Sequence, residues 1–231
     1  MSVYEIICYG DSNTWGTVSR YSLSDPHRRF GRDERWPCLL QAALGDGYAV
    51  HEEGLGGRTT IYTADPAVPY KNGMYMLEGC LKSQYPLDLV ILMLGTNDLH
   101  LPEPLPEKDL GKGITALVEF IQAHPEFGPE EQRAPEILLI APPFVTRSTP
   151  NGRTEVYPSF HGEYGEWLSR RFPEVYRQVA ETHGCHFLDA QPLTVPDGGD
   201  GVHLNAESHR RLAAAVYDDV LRIRKGEKTY A

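Results

Sequence analysis

With 231 residues, 41% of them hydrophobic and 23% charged, the chain has ordinary globular composition and enough length to bury a substantial core, expected as one domain over residues 1–231. Its net charge of -10 runs against a nucleic-acid partner, which would gather Lys and Arg to displace counterions from phosphates. Cys8, Cys38, Cys80 and Cys185 lie far apart, outside any CxxC or Cys/His spacing, so neither a disulfide scaffold nor a zinc knuckle is indicated.

The opening stretch, Met1 to Tyr9, has no basic leader and runs directly into a strand-like segment from Val3. No apolar run is long enough to span a bilayer, so a cytoplasmic protein without a membrane partner is expected. Short apolar runs follow at Tyr48 to His51, Leu87 to Leu94, Glu136 to Ala141 and Cys185 to Leu188, giving five candidate strands in all. Between them lie helical patterns at Trp36 to Leu44, Met74 to Ser83, Leu110 to Ala123, Phe160 to Thr182 and Ala206 to Arg224. Strict alternation of strand and helix predicts an α/β fold with a parallel sheet covered on both faces. The runs LDLVILML and EILLIA are continuously apolar, as strands buried on both faces are, and belong at the sheet's centre.

In an open parallel sheet the ligand sits outside the carboxyl ends of the strands. The loops to search are therefore Gly10-Asp11-Ser12-Asn13, Gly54 to Thr60, Gly95-Thr96-Asn97-Asp98, Pro142-Pro143, and Asp189 with the later Asp200-Gly201-Val202-His203. Ser12 alone is as well explained as a helix cap. A serine hydroxyl becomes a nucleophile when a base takes its proton and a third group fixes that base, and Asp200-x-x-His203 supplies both. An oxyanion requires donors already in place, and the N–H of Ser12, the N–H of Gly57 and the amide of Asn97 come from loops at one sheet edge. Asp11 and Asp98 read as turn stabilisers that accept backbone hydrogen bonds.

The four blocks GDSN (10–13), GLGGRTT (54–60), GTND (95–98) and DGVH (200–203) resemble the SGNH, or GDSL, hydrolase superfamily. The flanking Trp15-Gly16, Arg35-Trp36-Pro37 and Arg58-Thr59-Thr60 are similar to its bacterial arylesterase and acyltransferase branch. The resemblance implies a three-layer α/β/α sandwich with a five-stranded, flavodoxin-like parallel sheet. It also implies Ser12, Asp200 and His203 as the triad, Ser12, Gly57 and Asn97 as the oxyanion hole, no cofactor, no metal, and a homo-oligomer. Block I reads GDSN where the family name has GDSL, which bears on the pocket wall, where Asn13 and Trp15 are candidate substrate contacts.

The expected reaction is attack of Ser12 on a carboxylic ester of short acyl or aryl type, with water or an alcohol as acceptor; a carbohydrate O-acetyl ester or a thioester presents the same carbonyl. The long stretches Thr17 to Arg35 and Pro142 to Ser159 are expected to shape the acyl cleft or a subunit contact. Two rivals are weighed. A flavodoxin-like binding module lacks the glycine pattern for phosphate. A metal hydrolase would use His183, His186, His203 and His209 with Asp189 or Asp200, but His186 enters a strand, where burial outweighs ligation.

Overall fold

The computed structural model describes residues 3–229, so residues 1, 2, 230 and 231 of the expected 1–231 domain, including the start of the Met1 to Tyr9 segment, lie outside the described residues. Five strands, β1 (Tyr4–Gly10), β2 (Tyr48–Gly54), β3 (Leu89–Met93), β4 (Glu136–Ala141) and β5 (His186–Asp189), form one sheet in the order β2-β1-β3-β4-β5. Every pairing is parallel. The apolar runs read as central are central: β3 is the middle strand and is wholly buried, while edge strand β2 is half-buried along its length.

Because side chains alternate across a strand, each strand feeds two cores. Ile7, Tyr9, Val90, Leu92, Ile137 and Leu139 pack under α3 (Gly73–Gln84), α4 (Lys112–Gln122) and α7 (Phe172–His183). On the other face Ile6, Cys8, Leu89, Ile91, Leu138 and Ile140 meet α2 (Trp36–Leu44) and α8 (Ala206–Arg224) through Trp36, Leu40, Leu212, Val216 and Val220. The result is the expected three-layer α/β/α sandwich. Among the described residues no helix is long and apolar enough to cross a membrane.

One expected helix is divided. The pattern from Phe160 to Thr182 becomes α6 (Glu163–Ser169) and α7, and α5 (Val156–Ser159) precedes them within the expected 142–159 loop. His161 and Gly162 have φ of 62° and 59°, which no continuous right-handed helix admits. Pro173, in the first turn of α7, has no N–H to extend a helix arriving from Arg170 and Arg171.

The shortest helix, α1 (Ser12–Trp15), lies directly on the end of β2. Gly54 makes that approach possible: a Cβ there would stand 2.6 Å from Trp15 Cα and 2.7 Å from the Thr14 carbonyl carbon. Backbone cannot yield as a flexible side chain can. Gly54→Ala is therefore expected to lower the unfolding free energy by about 2 kcal/mol, read from the urea midpoint, and to displace α1, which carries Ser12.

Candidate active site

Five loops at the carboxyl edge of the sheet converge at the gap between β1 and β3. Asp11, just beyond β1, caps α1 by accepting from Asn13 N through Oδ1 at 2.9 Å, and Gly16 ends the helix in the left-handed region. Ser12 thus begins a helix at the mouth of the gap, with only 7% of its surface exposed.

His203 arrives from a point 191 residues along the chain, and its Nε2 lies 3.0 Å from Ser12 Oγ. Its Nδ1 lies 2.7 Å from Asp200 Oδ2, while Asp200 Oδ1 accepts from Val202 N at 3.0 Å and from His203 N at 2.9 Å. With Nδ1 donating to the carboxylate, Nε2 is the nitrogen left to accept from the serine hydroxyl. Burial alone would raise the Asp200 pKa. The His203 ring, its charge and the two backbone donors overcome that and hold the carboxyl at about 2.

The loops after β2 and β3 interlock beside Ser12. Arg58 Nη1 donates to Gly10 O at 3.0 Å and also to Glu53 O, so the guanidinium ties the ends of β1 and β2, with the Tyr9 ring 4.1 Å beneath it. Arg58 O in turn accepts from Asn97 Nδ2 at 3.1 Å, whose other direction runs to Asp11 Oδ2 at 3.5 Å. Gly57 turns at φ 77° between them. Among the described residues neither Ser12 N–H nor Gly57 N–H donates to a turn or loop carbonyl.

Asp98, beside Asn97, accepts from Thr60 N at 2.8 Å and from Thr60 Oγ1 at 2.6 Å, joining the two loops from behind. Asp11 and Asp98 are fully enclosed. Burial drives Asp98 up to about 7 against the Thr60 hydrogen bonds and with the help of Asp11, and it drives Asp11 up to about 6 against the Asn13 N–H and the positive charges of His203 and Arg58.

The two candidate pocket residues are both engaged with protein groups. Asn13 is buried: Oδ1 accepts from Leu204 N at 3.0 Å and Nδ2 donates to Val202 O at 3.3 Å, so the side chain clasps the residues on both sides of His203. Trp15 is half-buried, and the Arg29 guanidinium stands 5.0 Å over its ring while Arg29 also pairs with Glu52.

The long stretches meet the base-bearing segment rather than lining an open cleft alone. Thr146 N donates to Gly201 O, Thr149 N to Gly198 O and Arg153 N to Gly199 O, at 2.7–2.9 Å. From the other side Ser19 and Tyr21 pack on Gly199. The histidines of the metal reading are dispersed: His186 faces Glu136 and Thr229 N, while His209 is buried against Trp36 N. No group of three or more His, Cys, Asp or Glu side chains among the described residues is arranged to hold an ion.

The sequence reading did not find Arg58 as the clamp between strand ends or Asn13 as the clasp. The RTT of block II marks the first only as a motif, and a polar residue where the family name has leucine is the one signal for the second.

The family model described as GDSL-like Lipase/Acylhydrolase family matches residues 8–211. Among curated proteins, an acetylxylan esterase of Xylanibacter ruminicola is 26% identical over 230 residues, covering 91% of this chain; the chain spans only 42% of that relative's length. Two solved structures are each 34% identical with a TM-score of 0.83, covering 95% of this chain and 99% of their own: an aryl esterase from M. smegmatis and a carbohydrate acetylesterase from Sinorhizobium meliloti.

Asn13→Leu strands a buried carbonyl and a buried N–H beside His203, each worth about 1–3 kcal/mol when unpaired. A drop in Tm together with a drop in kcat is expected, read by thermal melts and steady-state ester hydrolysis. A second outcome follows from Asp98. A carboxyl with a raised folded pKa stabilises the fold at low pH and loses that contribution as pH rises from the ordinary carboxylate range through about 7. Asp98→Asn keeps an acceptor for Thr60 N–H and cannot ionise. Its Tm is expected to fall less than that of the unaltered chain between about pH 4 and about pH 8.

Proposed function

The chain belongs to the GDSL-like lipase/acylhydrolase family, a family of ester hydrolases, and on that premise we propose that it is a serine esterase in which Ser12 is acylated, His203 is the base and Asp200 orients the base. The observation that carries this reading is the continuous hydrogen-bonded line from Asp200 Oδ2 through the His203 ring to Ser12 Oγ.

In the proposed cycle Nε2 of His203 takes the Ser12 proton as Oγ bonds to the ester carbonyl carbon, and the carbonyl π electrons move onto oxygen. Three donors receive that oxygen: Ser12 N–H, Gly57 N–H and the Asn97 amide. The amide hydrogen that faces Asp11 at 3.5 Å is weakly held, so a developing oxyanion competes for it well. His203 then protonates the departing alcohol. Water attacks the acyl-enzyme by the same route in reverse, and an alcohol in its place gives acyl transfer. Asp200 remains ionised throughout, since its carboxyl is held far below the pH at which the imidazole works.

The substrates we propose are short acyl and aryl esters, and the match to the M. smegmatis aryl esterase supports the aryl part. A second reading, deacetylation of carbohydrate O-acetyl esters on the same site, is favoured by the acetylxylan esterase and carbohydrate acetylesterase matches. One sheet running from Tyr4 to Asp189 supports a single domain, and the four free cysteines suit a reducing, cytoplasmic setting. Exposed Leu23, Tyr164 and Trp167 support the homo-oligomer.

Labelling with an aryl phosphonate and peptide mapping should place the adduct on Ser12, and Ser12→Ala should lose ester turnover. Asp200→Asn is expected to keep the fold while kcat falls by about a thousandfold or more, because the imidazole loses the group that fixes its tautomer. Full turnover in either variant would contradict the assignment.

A further inference from the structure

Lys71 ends the 3-10 turn Pro69–Lys71, and its backbone is pinned to the residue two beyond Gly57: Thr59 N and Thr59 Oγ1 donate to Lys71 O at 2.9 Å and 3.2 Å. From there the side chain runs back across the oxyanion turn. A Cβ on Gly57 would stand 3.2 Å from Lys71 Nζ and 3.4 Å from its Cδ and Cε. The side chain is half-buried and, among the described residues, has no carboxylate within ion-pair distance, unlike Lys82 and Lys112, which pair with Glu78 and Asp109.

The neighbouring side chain on this edge is an imidazole. His100 closes the turn that carries Asn97, and its ring leans on Phe160 with centroids 4.8 Å apart. Burial, then His161, then Lys71 press the His100 imidazole below its ordinary pKa. His161 Nε2 is engaged with Leu101 O at 2.9 Å. The carboxyls that flank the oxyanion donors, Asp11 and Asp98, are enclosed behind the loops and bonded to Asn13 N and Thr60, so they cannot neutralise the ammonium from the solvent side.

An unpaired ammonium beside an oxyanion turn could act on the carbonyl oxygen or on a second acceptor of the substrate. Position favours the second. Lys71 approaches Gly57 where a Cβ would project, a direction that diverges from the N–H at the same Cα, so the charge stands beside the oxyanion pocket.

We propose that Lys71, with His100 at its flank, forms an anion subsite and that the enzyme prefers esters whose acyl or alcohol part carries a free carboxylate. This rests on the reading that Ser12 and Gly57 bracket the scissile carbonyl. A carboxylate placed there gains a charge-assisted hydrogen bond from a group that no protein acid occupies. In a chain of net charge -10, this is a local reversal of sign at the site.

The test uses two matched pairs: 3-acetoxybenzoate against its methyl ester, and the mono-4-nitrophenyl ester of adipic acid against its methyl 4-nitrophenyl diester. The readout is the anionic-to-neutral ratio of kcat/KM within each pair. Lys71→Gln is expected to lower that ratio by at least about fivefold in one pair or both, and Lys71→Arg to retain it. Ratios that do not move in either pair, or an equal loss in the Arg and Gln variants, would overturn the anion subsite. Binding separates this from the nucleophile assignment. In a Ser12→Ala background the Kd preference for 3-acetoxybenzoate over its methyl ester should persist, and it should vanish when Lys71→Gln is added. If Ser12→Ala still turned over esters, the nucleophile reading would fail while the Kd comparison went on deciding Lys71.

Discussion

Between β1 and β3 the chain leaves the sheet in opposite directions, toward β2 from one strand and toward β4 from the other, and the crevice this opens is the constraint on which the site depends. Nothing else in the fold brings the residues after Gly10 and those after Gly95 side by side with room between them. The crevice has walls of backbone, so its donors are main-chain N–H groups and short side chains rather than long flexible ones. Gly54 sets its depth, because α1 can sit on the end of β2 only where β2 has no Cβ. Arg58 steadies its β1 wall by holding the carbonyls at the ends of β1 and β2.

Strands and loop positions were legible because they depend on local alternation and on where apolar runs stop. The Glu136–Ala141 strand and the Trp36–Leu44 and Ala206–Arg224 helices fall on their expected bounds for that reason. The break inside 160–182 was not legible from periodicity, since α6 and α7 share an apolar spacing and only the His161-Gly162 backbone and Pro173 separate them. The Asn13 clasp was missed for a different reason. Its partners, Val202 O and Leu204 N, are backbone groups 189 and 191 residues away, and no side-chain pattern advertises a backbone partner. The same holds for the 142–159 stretch, whose hydrogen bonds to Gly198, Gly199 and Gly201 run to main-chain carbonyls, from N–H groups and from the Thr149 hydroxyl.

Three buried aspartates show how the site separates roles with one residue type. Asp200 accepts from an imidazole and two N–H groups, and the positive partner outweighs burial. Asp98 has only the neutral donors of Thr60 and a carboxyl neighbour in Asp11, so burial prevails and the group is pushed toward neutrality. Burial that raises both carboxyls lessens the negative charge behind the oxyanion donors. Two full negative charges at that point would repel the oxyanion that the donors are meant to hold, whereas the single charge of Asp200 is separated from it by the imidazole.

Among the described residues no acid pairs with Lys71, and the consequence reaches the approach of substrate. An acidic protein repels anions at long range, with screening over about 8 Å at physiological salt. Inside that distance the local charge decides, and it is that of Lys71, flanked by the His100 ring. The pinned backbone of Lys71 matters as much as its charge. Two hydrogen bonds from Thr59 to the Lys71 carbonyl fix where the side chain starts, and its half-buried stem running back to the Gly57 turn leaves less ordering for a bound carboxylate to impose. A free surface lysine would lose rotamer entropy on engaging the same group, which is why exposed ion pairs contribute so little. Held against the oxyanion turn, Lys71 presents the ammonium with much of that ordering already done.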